Sequence, residues 1–107
     1  MNRIDQIQEF LKETPNDPFL HYALAQEYYK LNLKTDALNK YTELIEKFPN
    51  YVGTYYHLGK LQIELKNKEQ AMSIFEKGME IAKEMKDQHS LAELQSARLE
   101  LLYDDDE

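Results

Sequence analysis

The chain has 107 residues and a mass of 12.7 kDa, the size of one small domain, and sets 13 Lys and Arg against 20 Asp and Glu for a net charge of −7. It has no Cys, which excludes a disulfide framework, a thiolate metal site and a cysteine nucleophile. The acidic balance argues against a general nucleic-acid binder, which needs surplus cations to displace the counterions of phosphate. No apolar run nears the roughly 20 residues that span a bilayer, and Met1-Asn2-Arg3-Ile4-Asp5 has no signal-peptide apolar core, so the expectation is a cytoplasmic protein with no membrane segment. With only three Gly and three Pro, a many-turned β-sandwich is disfavoured and an all-α fold expected.

In chain order, Arg3, Ile4, Ile7, Phe10 and Leu11 mark an amphipathic leading helix over 3–13, ended by Pro15. Asp17 and Pro18 then read as an N-cap and a first helical position. The helix they open carries Leu24 and Tyr28 on one face and ends near Asn32, a residue suited to a left-handed terminator. Thr35 or Asp36 opens the next helix, with Ala37, Tyr41, Leu44 and Phe48 spaced by 4, 3 and 4, and Pro49 stops it. The pattern then recurs: Tyr55, Leu58, Gly59 and Gln62, a break at Lys66-Asn67, then Ala71, Phe75, Gly78 and Ala82. Last, Ser90-Leu91-Ala92-Glu93 has the form of a capping box, which places Ser90 as N-cap and His89 in the preceding loop. It opens a capping helix over 90–103 through Leu91, Leu94, Ala97, Leu101 and Leu102, with Glu93, Arg98 and Glu100 assigned to a polar outer face.

A shift of 34 residues lays Pro15 on Pro49, Tyr22 on Tyr56, Leu24 on Leu58, Ala37 on Ala71 and Tyr41 on Phe75. The matches sit at small and apolar positions, as a repeated packing unit requires. Residues 18–51 and 52–85 are the two units. They resemble the tetratricopeptide repeat family, through His21, Leu24, Ala25, Tyr28, Ala37, Tyr41, Leu44 and Pro49 in the first unit and Tyr55, Leu58, Gly59, Gln62, Ala71, Phe75 and Gly78 in the second. His21, Gln62, Leu44 and Lys83 depart from the family pattern. Lys83 stands where the family has Pro, so the second unit's last helix is expected to run on to Met85 or Lys86. The resemblance implies an α-solenoid, a superhelix of about six antiparallel helices forming one domain over 1–103, with an acidic tail at 104–107. Ala25, Gly59, Ala37, Ala71 and Gly78 would let helix backbones approach closely.

By resemblance, the side of each unit's first helix turned away from this packing lines a concave groove. In this chain that set is Phe19, Tyr22, Gln26, Tyr29 and Lys30, then Gly53, Tyr56, Lys60, Ile63 and Glu64 with His57 beside them. The set is aromatic and mildly basic, suited to a peptide or protein segment with a carboxylate or acidic side chain near Lys30 and Lys60. Some members of the family clamp a chaperone's C-terminal carboxylate with Lys and Asn residues. Tyr22 and Gln26 stand where the first such residues would fall, so that partner class is not expected. The function read from the sequence is therefore a non-catalytic protein-protein interaction module. The alternative is a self-associating unit, a weak homodimer joined through its terminal helices.

No catalytic or cofactor signature accompanies this pattern. His21, His57 and His89 fall in no metal-ligating spacing, Ser73, Ser90 and Ser96 have no base and orienting partner nearby, and no glycine-rich phosphate loop is present. Neither cofactor nor metal is expected. Met72, Met79 and Met85 read as adaptable core filling, and the Asp104-Asp105-Asp106-Glu107 run as a solvated tail.

Overall fold

A computed structural model of the chain describes residues 2–104. The described residues form six helices and no strand: α1 (Arg3–Glu13), α2 (Pro18–Lys30), α3 (Lys34–Lys47), α4 (Gly53–Glu64), α5 (Lys68–Glu84) and α6 (Gln88–Leu102). The fold is an all-α solenoid of tetratricopeptide type. Contacts divide the chain between Tyr51 and Val52, at the boundary of the 34-residue period, into two compact units. Residues 105–107 of the expected tail lie outside the described residues.

In the first unit α2 packs against both α1 and α3. Asn2 caps α1 by accepting the Asp5 backbone N–H at 2.8 Å. Asp17 caps α2 by accepting from the Phe19 N–H at 3.0 Å, with Pro18 in the first turn as expected. Ala25, Ala37, Tyr41 and Leu44 are essentially inaccessible to solvent. Phe10 stands at the register of Leu44 and Gly78, yet is 59% exposed, while Ile7, at the register of Tyr41, is buried.

In the second unit α5 packs against both α4 and α6, and α4 also touches α6. The small residues do what the period implied. A Cβ added to Gly59 would lie 2.2 Å from Cε1 of Phe75, and one added to Gly78 would lie 2.5 Å from Cβ of Tyr55. Ala71 and Ala82 are inaccessible beside them.

Three of the turns are the same device. After α2, α4 and α5 comes a residue with positive φ: Asn32 at 62°, Lys66 at 67° and Lys86 at 58°. Each is followed by a residue whose N–H reaches back to the last turn: Leu33 to Tyr28 O, Asn67 to Gln62 O and Asp87 to Ala82 O, at 2.8–2.9 Å. These are Schellman closures. The same Leu33, Asn67 and Asp87 then serve as N-caps of the next helix, so three residues reverse the chain. This device corrects two expectations. Helix α3 opens at Lys34, just ahead of Thr35 and Asp36. Ser90 is not the N-cap of α6: Asp87 is, accepting from the Ser90 N–H at 3.0 Å and from the Ser90 hydroxyl at 2.8 Å. The carboxylate three residues earlier is as good an acceptor and already sits at the turn, so the helix starts there and His89 lies inside it. Helix α5 has 17 residues against 14 in α3 and closes on Met85, the overrun that Lys83 in place of Pro implied.

Candidate functional site

On α2, the predicted face divides into engaged and open residues. The buried Tyr41 hydroxyl donates to Oε1 of Gln26, and Nε2 of Gln26 donates to the Tyr22 hydroxyl at 3.2 Å. Gln26 is thus a bridge that satisfies a buried phenol. Tyr22 also lies 5.4 Å from the Tyr51 ring and 6.4 Å from that of Tyr41, so its ring is packed on one side. Burial, and then the neighbouring Tyr22 and Tyr29, hold the Tyr41 phenol well above its usual pKa; burial, and then the charge of Asp17, raise that of Tyr51. Phe19 is 55% exposed near the start of α2, and Tyr29 is exposed near its end. The Lys30 ammonium is 3.1 Å from the Glu27 carboxylate, which also meets Arg3 at 3.5 Å. His21 is tied at the edge of the unit: Nε2 bonds the Pro15 carbonyl at 2.7 Å and the ring stacks on Phe48 at 5.7 Å.

On α4, Tyr56, Lys60 and Ile63 line one wall of a groove whose other wall is α6. One stretch, about 390 Å³, is bounded by Tyr56 with His89, Ala92, Glu93, Ser96, Ala97 and Glu100. The next, about 420 Å³, is bounded by Lys60 and Ile63 with Ala97, Glu100, Leu101, Tyr103 and Asp104. The two stretches share Ala97 and Glu100, so they run on along α6. The Lys60 ammonium sits 5.8 Å from the centre of the Tyr56 ring, a cation–π distance, and the His57 ring meets that of Tyr56 edge-on at 5.3 Å. Burial lowers the His57 pKa, opposed by the charge of Glu93. Gly53 and Glu64 are exposed at the two ends of α4.

The structure thus brings Tyr56, His57 and Lys60 together on α4, and Tyr22 with Gln26 on α2. It also adds a wall that the sequence reading missed. The sequence pattern puts Glu93, Arg98 and Glu100 on an outer face, but Glu93 and Glu100 line the groove, while Arg98 turns the other way and pairs with Glu76 of α5 at 3.1 Å. Among the described residues no group of three His, Asp or Glu side chains is placed to hold a metal ion, and no helix is long and apolar enough to cross a membrane.

A family model for the tetratricopeptide repeat matches residues 35–97, more than half of the chain. The chain belongs to the tetratricopeptide repeat family. Among solved structures it is similar to a tetratricopeptide repeat domain protein of Salinibacter ruber, at 46% identity and a TM-score of 0.79 over 81% of this chain and 98% of that one. A protein of Bordetella parapertussis aligns over 98% of this chain and 91% of its own at 21% identity and a TM-score of 0.83. The TPR2B domain of yeast Sti1, solved as a pHsp70 complex, aligns at 22% identity and a TM-score of 0.83 over 92% of this chain and 78% of that one. At such identities the last two show the fold alone. No curated protein sequence matches the chain. Membership of this family supports a protein-interaction module in general terms, and tetratricopeptide repeat proteins are typically non-enzymatic.

Proposed function

We propose that this tetratricopeptide repeat protein is a non-catalytic module that binds a peptide or protein segment, and that the groove between α4 and α6 receives it. The observation that carries this reading is the groove itself: a cleft with an aromatic platform at Tyr56, apolar walls at Ile63, Ala97 and Leu101, and charged groups at its rim. Its dimensions fall within the range of ligand-binding clefts, about 300–1,000 Å³. Tyr56 offers the groove a flat ring at small entropic cost. On α2, Phe19, Tyr22, Tyr29 and Lys30 form a second contact set, with Gln26 holding Tyr22 in place. The Sti1 domain solved as a pHsp70 complex shows that a protein of this fold takes such a partner; the partner of this chain is a separate question of its own side chains. The test is selection of binders from a displayed library of random 12-residue peptides, followed by titration of Tyr56→Ala. Loss of affinity by about tenfold or more supports the groove. Equal binding by wild type and variant overturns it.

A second reading, self-association through the terminal helices, is favoured by exposed apolar side chains at both: Phe10 on α1, and Leu99 and Leu102 on α6. Light scattering over a concentration series checks it. A mass fixed at 12.7 kDa removes it, whereas a rising mass that Phe10→Ser or Leu99→Ser returns to 12.7 kDa establishes it.

A further inference from the structure

We infer that the segment received between α4 and α6 is a basic one, carrying lysine or arginine side chains that Glu93 and Glu100 read. The inference rests on the peptide-binding reading above and specifies the chemistry of the partner.

Four observations lead to it. First, the lining of the groove is acidic in sum: it holds Glu93, Glu100 and Asp104 against Lys60, and counting the Lys68 ammonium 3.4 Å from the Asp104 carbonyl still leaves two cations against three carboxylates. Second, the cation is already engaged, since Lys60 lies over the Tyr56 ring at 5.8 Å, whereas neither Glu93 nor Glu100 has an ion-pair partner among the described residues. Elsewhere Glu27, Glu43 and Glu76 each hold a Lys or Arg. Third, Glu93 and Glu100 are seven residues apart on one helix, two turns or about 10 Å along the wall. That rise equals about three residues of an extended polyproline-like segment, so basic side chains three positions apart would meet both. Fourth, the whole chain is at −7, a field that draws cationic partners and repels acidic ones.

The sequence reading expects the reverse, a carboxylate or acidic side chain near Lys30 and Lys60. Lys30 is held by Glu27 on its own helix, and the wall facing Lys60 is anionic.

The experiment selects binders to the wild type from the displayed random library and counts charge among those that Tyr56→Ala displaces. Enrichment of Lys and Arg is expected. A selected peptide should bind Glu93→Gln/Glu100→Gln at least tenfold more weakly, and Lys60→Gln as well as or better than wild type. Both carboxylates are exposed and amide replacements preserve shape, so an unchanged circular dichroism melt certifies the fold of the variants. Selected peptides that depend on Tyr56 but are neutral or acidic, or that ignore the two amide replacements, overturn the inference while the groove reading stands. A library that yields no peptide sensitive to Tyr56→Ala overturns both.

Discussion

Gly59 and Ala25 occupy the same register of the two repeats, and the difference between them traces to one hydroxyl. In the first unit, Tyr41 is anchored by its bond to Gln26, and Ala25 is buried without conflict. In the second, Phe75 and Lys60 stand at the corresponding positions, no hydroxyl needs a partner, and the Phe75 ring fills the space that a Cβ at residue 59 would take. Residue 59 is glycine because the ring is there, at a helix-propensity cost of about 1 kcal/mol. Gly78 is more constrained, since the obstructing atom is Tyr55 Cβ, which no rotamer change can move. Gly78→Ala should therefore destabilise the fold by about 1–3 kcal/mol in urea unfolding and more than Gly59→Ala, whose obstacle is a ring edge. Gln26→Leu strands a buried phenol and should cost about 1–3 kcal/mol, with Tyr41→Phe recovering part of the loss when the two are combined. A double-mutant cycle by chemical unfolding reads this directly.

Helix α6 shows how much a start signal depends on its neighbours. Ser90 with Glu93 spells a capping box, but Asp87 takes the cap because the Schellman turn from α5 delivers it there. The Asp87 carboxyl is held below its usual pKa by the Ser90 N–H and then by the Ser90 hydroxyl, consistent with a working cap. Asp87→Ala should lower the melting temperature, and Ser90→Ala should do so by less, because the helix then keeps the carboxylate on its backbone N–H; thermal melts followed by circular dichroism compare them. If Ser90 were the cap the order would reverse. The short turns at Asn32, Lys66 and Lys86 were legible in part: Asn32 and the Lys66-Asn67 break could be read, but two of the three left-handed positions carry Lys, which advertises nothing. They are held there by the packing of the helices on either side, at a cost glycine would avoid.

Stability of the whole chain should fall on both sides of neutrality, for different reasons. His57 is buried toward its neutral form, so its folded pKa lies below that of the unfolded chain. A depressed pKa contributes stability that is present above the unfolded value of 6.5 and lost as pH falls below it, while the unfolded state takes up the proton that the fold refuses. For Tyr41, Tyr51 and Tyr55 the folded pKa is raised, chiefly by burial, so their contribution is complete below pH 10.0 and disappears as pH rises beyond it. Urea midpoints measured against pH should thus decline at both ends. His57→Gln should flatten the acid side near pH 6, and Tyr41→Phe the alkaline side.

The repeat period, the helices and the small residues that let them approach were all legible in the chain, because each depends on spacing along it. Ala37 with Ala71, and Ala25 with Gly59, recur in step with the residues that cover them. Half of the candidate site was legible for the same reason: Tyr56 and Lys60 lie on the side of α4 away from its packing stripe. The other half was not. Leu94, Ala97 and Leu101 define the buried stripe of α6, and Glu93 and Glu100 flank it by about 100° on one side while Arg98 flanks it on the other. A helical wheel gives those angles but not which neighbour stands at each flank. Packing of α6 against both α4 and α5 settles that, turning Glu93 and Glu100 into the groove that Tyr56 and Lys60 line and the guanidinium toward Glu76. Local periodicity can place a charge on a helix; the sign of the field in a groove is set by residues some 35 positions apart, and is known only once their helices lie side by side.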